Sequence, residues 1–319
     1  MSVQETIPRT HLKEIGERYG VEPKGLIFVG GFENSVYSFS KKGQELFLRV
    51  GSSKHMTLEL VQAEIEWVRY LVEKGVPAVK PAPSVADGYV ERVDLGKVSY
   101  NVVAFEKAKG EHIKDGREPL KWNREMIRDW GRVIGRMHSV TKDFKPKSSR
   151  RYDYNPGLDS FLYKNESKKI REYIDGLWIQ LGELPKSNDS YGLVHSDIHT
   201  GNFFVRNNKI SAILDFDRSC YKWFISELAI ALYYPTYLSE LRNHKGQQKK
   251  FVRDFVSLFM EGYETENQLD SKWLEHLDFF IRVREVILLM YSPNEDWRKP
   301  LRPRISGKEP YLDVFQIIS

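Results

Sequence analysis

The chain changes period about a third of the way along, and that switch limits the folds open to it. Residues 26–50 read LIFVGGFENSVYSFSKKGQELFLRV. Apolar side chains alternate there, and the runs are separated by Gly30–Gly31 and by Lys41–Lys42–Gly43. A strand points successive side chains to opposite faces, so the pattern predicts three antiparallel strands. In TLELVQAEIEWVRYLVEKGVP the apolar residues Val61, Ile65, Val68 and Val72 recur at helical spacing instead. Gly75 and Pro77 end that helix. The segment GYVERVDLGKVSYNVVAFE alternates again and turns at Gly96, which gives two more strands.

Beyond about residue 110 the helical period takes over. Ile127, Trp130, Ile134 and Met137 form a stripe in WNREMIRDWGRVIGRMHSV. Residues 158–182, 224–240, 247–263 and 273–291 also read as helices. Between them, LVHSDIHTGNFFVRNNKISAILDFD holds two short apolar runs, FFV and AIL, on either side of Asn207–Asn208. That is the pattern of a small hairpin with polar loops at its strand ends. No internal repeat or low-complexity tract breaks this order. At 319 residues the chain suits two lobes better than one simple core. The expected fold class is α+β: a small antiparallel five-stranded lobe with one helix, residues 1–105, and a larger mainly helical lobe, residues 106–319. A linker falls near residues 104–110, and a cleft between lobes is a natural ligand site.

Charge and cysteine content narrow the setting. Lys plus Arg number 49 against 44 Asp plus Glu, and an excess of +5 does not imply nucleic acid. Basic runs occur at KPKSSRR (145–151) and WRKPLRPR (297–304), and such runs are usually solvated faces, so no nucleic-acid partner is expected. Cys220 is the single cysteine, which excludes an internal disulfide framework. No apolar signal region follows Met1 and no apolar run is long enough to span a bilayer. The expectation is a soluble protein of a reducing compartment, most simply the cytoplasm, with no membrane partner. Neither charge pattern nor heptads decide between monomer and homodimer.

The chemistry concentrates in HSDIHTGN (195–202) and ILDFD (213–217). Asp197 and Asp215 are hard oxygen donors, and Asn202 offers a neutral carbonyl. Mg²⁺ takes such ligands and keeps positions for water and substrate phosphates. A carboxylate that binds no metal can act as a base towards a hydroxyl. One Asp as base, with one Asn and one Asp on Mg²⁺, is the inventory of phosphoryl transfer, where positioning and charge neutralisation dominate. Two other readings stay open at this level. His195 and His199 are four apart, a spacing that serves zinc on a helix, although no third soft ligand is near. Asp197 and Asn202 could instead cap turns, as single Asp and Asn residues usually do, although four polar residues set between two apolar strands rarely do.

His-x-Asp-x4-Asn followed by Ile-Leu-Asp-Phe-Asp resembles the aminoglycoside phosphotransferase and choline kinase family, which has the protein-kinase-like fold. The resemblance runs in order from about residue 25 to 290. It implies that Gly30, Gly31, Asn34 and Ser35, in GGFENSVYSF, belong to a loop covering ATP phosphates. Two glycines in a hairpin are a weak signal alone. It places Arg49 of FLRV on the α- and β-phosphates and pairs it with Glu64, ahead of Glu66 and Glu59. It puts adenine against the backbone of Ala104, Phe105 and Glu106. It makes Asp197 the base, gives Asn202 and Asp215 to Mg²⁺, and leaves His195 holding the loop. Each of these residues also has a plain reading as a strand, helix-face or turn residue.

The departures are informative. Ser196 stands where many relatives have Gly, and Glu227 where many have Asp. Asp217 replaces the Gly of protein kinases, and no A-P-E segment follows, which argues against a regulated protein kinase. The resemblance implies a small-molecule hydroxyl acceptor. Asp217, His199, Glu227, Tyr233 and Tyr234 are the residues expected to line its site, although helical spacing in that segment also suits a core. Acidic lining favours an amine-bearing acceptor, and the resemblance implies an antibiotic of aminoglycoside or amicoumacin type. A metabolite kinase for homoserine, choline or an amino sugar is the alternative, and a non-catalytic kinase-like binding or coat protein is a second.

Overall fold

The computed structural model describes residues 7–31, 33–113, 118–147, 149–155, 161–292 and 294–319. Phe32 of the glycine loop, Ser148 of the first basic run and residues 158–160 of the expected helix at 158–182 lie outside the described residues. The chain divides into two compact units. One comprises Met1–Gly110, Asp143–Arg151 and Ser211–Asp217, and the other Glu111–Lys142, Tyr152–Ile210 and Arg218–Ser319.

The first unit contains α1 (Arg9–Glu17), β1 (Ile27–Gly30), β2 (Ser35–Lys41), β3 (Gln44–Ser52), α2 (Leu58–Glu73), β4 (Pro81–Ala82), β5 (Glu91–Leu95) and β6 (Val98–Glu106). The five strands expected from alternation are present, joined by the two-residue β4. The sheet order is β1-β2-β3-β6-β4, β5 also pairs with β6, and every pairing is antiparallel. Lys42 and Gly43 both have positive φ (51° and 80°), the geometry of a tight hairpin matching strand twist. Alternation along β3 divides its side chains. Leu46, Leu48 and Val50 enter a core with Tyr37, Phe39, Val102 and Ala104. Arg49 faces the other way, beside Val103 in register. On that face Val61 and Ile65 of α2 cluster with Val103. Helix α2 starts where Thr57 accepts a hydrogen bond from Leu60 N and ends before Gly75 at φ 79°. Helix α1 was not expected. It closes the opposite core with Ile15, and just past its end Tyr19 packs there too, its hydroxyl donating to Val102 O at 3.0 Å.

The second unit contains α3 (Arg124–Thr141), α4 (Lys168–Glu183), β7 (Tyr191–Val194), β8 (Phe203–Arg206), β9 (Lys209–Ile213), β10 (Cys220–Trp223), α5 (Ile225–Tyr237), α6 (Lys245–Tyr263) and α7 (Leu277–Tyr291). The last residues of β9 are grouped with the first unit. Three short helices follow: α8 (Glu295–Arg298), α9 (Arg302–Ile305) and α10 (Val314–Ile318). Helix α4 begins at Lys168 because Ser167 caps it, so the described residues 161–167 of the expected helix are not α-helical. The expected helix at 273–291 is a 3₁₀ turn to His276 and α-helix from Leu277. Asn207 and Asn208 both have positive φ (53° and 58°), so the hairpin between β8 and β9 turns where its sequence pattern put it.

Helices α3 and α6 cross with their backbones in contact. A Cβ on Gly131 would fall 1.8 Å from Phe259 O, and one on Gly262 1.8 Å from Arg128 O. Only glycine permits that approach. The crossing seats Trp130 against Phe203, Phe255 and Phe259. The second basic run is largely consumed internally. Arg302 grips Glu166 and Glu295, Arg304 grips Glu285, and Arg298 donates to Ser292 O. Arg151 of the first run is 2% exposed and donates to Leu60 O and Asp217 O.

Candidate active site

The first unit holds a buried cation with a matched partner. Arg49 Nη1 and Nη2 donate to Glu64 Oε1 and Oε2, both at 2.8 Å. The side chains are 12% and 1% exposed. Burial alone would ease a proton off Arg49, but the charges of Glu64, Asp217 and Asp215 hold it on. Val61 and Ile65 fix the helix on the sheet, which aims Glu64 at Arg49. The neighbouring Glu66 accepts from Lys147 N at 2.6 Å, and Glu59 is exposed in the first turn of α2. Gly30 and Gly31 have φ 149° and 146°, a region that side chains disfavour, and nothing lies within 4 Å of a Cβ on Gly30. Ser35 is buried at the start of β2. Asn34 donates to Asp217 Oδ2 at 3.1 Å, tying the glycine loop to the ILDFD segment. Phe216 is 1% exposed and meets Trp67 of α2 edge to face at 5.5 Å. With Phe216 and Asp217 both buried, Asp215 between them and Leu214 is left exposed, at φ 60°. Ala104 and Phe105 are paired within the sheet, and Glu106 N donates to Lys80 O at 2.8 Å.

The second unit presents the HSDIHTGN loop. Ile198 and Phe203 are fully buried and anchor it, while Asp197 keeps 25% exposure. Asn202 Nδ2 donates to Asp197 O at 2.9 Å and to Oδ2 at 3.3 Å, which leaves the amide's oxygen as its other end. Ser196 sits at φ 66°, a left-handed conformation that glycine adopts freely and other residues disfavour. Glu227 holds it there, with Oε1 accepting from Ser196 N at 2.8 Å. Glu227 is fully buried, its Oε2 has no partner among the described residues, and burial pushes its carboxyl up to about 7. His195 is fully buried and its Nδ1 accepts from Asp197 N at 3.2 Å. His199 Nδ1 accepts from Gly201 N at 3.0 Å, and burial pushes the ring down to about 4, so it is neutral.

Of the five residues expected to line an acceptor site, His199 and Tyr234 meet near Asp197, their rings tilted by 40° with centroids 4.6 Å apart. Glu227 and Tyr233 are fully buried, Tyr233 donating to Glu285 at 2.8 Å, and Asp217 is buried against Asn34. None of these three presents a side chain to solvent. Sequence reasoning missed Arg284 of α7, which donates through Nη2 to Asp197 Oδ1 and to the Tyr234 hydroxyl.

The donor chemistry bears on what the site can hold. Among the described residues no three His, Cys, Asp or Glu side chains converge as a metal cluster, and both histidines spend Nδ1 on backbone N–H groups. That leaves zinc without a ligand set. Asp215 in the first unit and Asn202 in the second each carry an oxygen donor, the donor type that suits an ion which keeps water and phosphate ligands. Arg49, a cation with no charge to lose, suits phosphate oxygens. The residues present therefore fit ATP and Mg²⁺.

An antiparallel sheet carrying a buried Arg–Glu pair from strand and helix, and a helical unit carrying His-x-Asp-x4-Asn, define a protein-kinase-like fold. The chain belongs to the phosphotransferase enzyme family, whose model matches residues 25–259. It is 34% identical over 287 residues to the amicoumacin kinase of Bacillus subtilis (strain 168), covering 87% of this chain and 82% of that protein. The structure of amicoumacin kinase hAmiN in complex with AMP-PNP, Ca²⁺ and Ami matches at TM-score 0.84 and 26% identity, covering 98% of this chain and 97% of that one. The microcompartment-associated aminopropanol kinase shares the fold at TM-score 0.69 and 19% identity, covering 93% of both chains. The protein is a kinase that transfers phosphate to a hydroxyl. No described helix is long and apolar enough to cross a membrane.

Proposed function

We propose that the protein is an ATP- and Mg²⁺-dependent kinase that inactivates an amine-bearing antibiotic of the amicoumacin type by phosphorylating one of its hydroxyls. The observation that carries the acceptor class is the 34% identity to an amicoumacin kinase across 87% of the chain. Bound MgATP supplies the phosphoryl group. Residues 1–105 are assigned to the nucleotide and residues 106–319 to catalysis and the acceptor. Gly30 and Gly31 would offer backbone N–H groups to phosphate oxygens. Asn34 and Ser35 would shape that loop. Arg49, braced by Glu64, would neutralise the phosphates, and the backbone from Ala104 to Glu106 would receive the base. Asn202 and Asp215 would ligate the metal. Asp197 would orient the acceptor hydroxyl and take its proton, while Glu227 and His195 hold the loop in shape. His199 and Tyr234 would face the acceptor.

The test is a mass-spectrometric screen with MgATP and a panel of amicoumacin, aminoglycosides, homoserine, choline and amino sugars. A product about 80 Da heavier from amicoumacin is expected, with turnover lowered on the order of 10²–10⁴-fold in Asp197→Ala while MgATP still binds. Modification of homoserine or choline alone would replace the antibiotic reading with a metabolite kinase. Wild-type turnover in Asp197→Ala would remove that residue from its role.

A further inference from the structure

Asp197 is gripped unequally at its two oxygens. Oδ1 accepts from Arg284 Nη2, whose other contact is the Tyr234 hydroxyl. Among the described residues, Oδ2 has only Asn202 Nδ2 at 3.3 Å and His199 Nε2 at 3.8 Å. The first contact is long and the second is beyond hydrogen-bond range. Since His199 Nδ1 accepts a backbone N–H, the neutral ring carries its proton on Nε2, turned towards Oδ2 without bonding it.

Beside Arg284, helix α7 is anchored through Glu285. Neighbours on a helix project about 100° apart, so Arg284 and Glu285 leave α7 in different directions. Glu285 is fully buried and receives Tyr233, Arg304 and Tyr311. Tyr233 and Tyr234 divide in the same way on α5, one to Glu285 and one to Arg284. The guanidinium is 6% exposed, lies over the Tyr234 ring at 5.3 Å, and its Nε is buried without a partner among the described residues. Arginine in such surroundings is an anchor, and its Nη2 joins Asp197 to the Tyr234 hydroxyl.

We infer that Arg284 is a positioning residue for phosphoryl transfer: it clamps Asp197 through Oδ1, with Tyr234 as its brace, so that Oδ2 receives the proton of the acceptor hydroxyl. The inference rests on the reading of Asp197 as the base. In the transfer the acceptor O–H bond breaks and its proton passes to Asp197 Oδ2. The freed electron pair forms the new O–P bond as the bridging bond to the nucleotide breaks, and that bond's electrons leave with the nucleotide. A carboxylate free to rotate about its own bond would present Oδ2 only part of the time, so the clamp acts on turnover rather than on nucleotide affinity.

The experiment compares Arg284→Ala, Arg284→Lys, Tyr234→Phe and Asp197→Ala, using the acceptor found in the screen above. In Arg284→Ala, kcat should fall on the order of 10²-fold with KM for MgATP changed less than about twofold. Tens of millimolar guanidinium chloride should restore about tenfold of that loss, while equal sodium chloride or urea does not, because guanidinium refills the site. Arg284→Lys should keep more activity than the alanine variant, since an ammonium reaches one oxygen without the second contact. A substrate-free readout accompanies these. Guanidinium should raise the melting temperature of Arg284→Ala, leave wild type unchanged, and do nothing for the Asp197→Ala, Arg284→Ala double variant. If Arg284→Ala is too unstable to purify, Tyr234→Phe and Arg284→Lys carry the same kcat-against-KM comparison. Turnover within about threefold of wild type overturns the inference, as does a loss that guanidinium neither rescues nor stabilises. Full activity in Asp197→Ala would instead bring down the base assignment and the inference with it.

Discussion

Glu227→Ala should destabilise the protein by an amount that shrinks as pH rises. Glu227 is fully buried, accepts from Ser196 N at 2.8 Å and titrates at about 7 instead of the ordinary 4.5. A carboxyl that binds its proton more tightly folded than unfolded favours the folded state at low pH. That advantage disappears as pH climbs from the unfolded value through the folded one, because the folded protein alone must then bury the charge. The whole excursion is worth about 3 kcal/mol, and about 2 kcal/mol of it falls between pH 5.5 and pH 8. Alanine removes the titration. It also removes the acceptor for Ser196 N–H and leaves a small cavity, together costing about 3 kcal/mol where Glu227 is protonated. Urea unfolding should therefore show a deficit of about 3 kcal/mol near pH 5.5 and about 1 kcal/mol near pH 8. Turnover should fall at both, since Ser196 loses what keeps it at φ 66°. A deficit that is flat or grows with pH would refute the reasoning, because it would mean the carboxyl is ionised throughout.

Glu64→Ala strands the Arg49 guanidinium in the interior and should cost about 3–5 kcal/mol by urea unfolding, with loss of phosphate transfer; a cost under about 1 kcal/mol would show that the pair is solvated. Gly131→Ala should cost about 2 kcal/mol or more, because its Cβ would meet Phe259 O at 1.8 Å and push α3 off α6. Gly176→Ala, in the middle of α4 with nothing within 4 Å of its Cβ, should instead gain about 1 kcal/mol, and thermal melts of the two variants must move in opposite directions.

Period and punctuation made most of the framework readable. The hairpins at Lys42–Gly43 and Asn207–Asn208 need positive φ at paired positions, and Gly43, Asn207 and Asn208 are residue types that announce it. Helix α2 showed both its apolar stripe and its glycine stop. Helix α1 was legible too, since Leu12 and Ile15 fall at helical spacing, with Tyr19 one turn further on just past its end. The phosphotransferase motif stood out because its polar residues interrupt apolar strands. What could not be read was which way side chains face on α5. Nearly every residue of Ile225–Tyr237 is buried, so no periodicity separates a lining face from a core face. The sequence therefore points Glu227 and Tyr233 towards a ligand, and the structure turns them inward. Arg284 carries no local signal, because its role depends on α5 and α7 being neighbours, which tertiary packing alone decides.

The first unit is assembled from three separate pieces of chain, and this bears on how it comes to exist. Its sheet is made of early residues, but Arg151 bonds Leu60 O and Asp217 O, Asn34 bonds Asp217, and Phe216 meets Trp67. The Asn34–Asp217 contact spans 183 positions. Contacts of that separation close late and slowly, because a long loop must be ordered before they form. A fragment cut at Gly110 would keep the Arg49–Glu64 pair yet lack the segments that finish the unit around it. As the chain emerges during synthesis, its earliest strands must wait for more than a hundred later residues before their surroundings are complete. The two units are thus interlaced in folding time, and neither can be transplanted by a single cut.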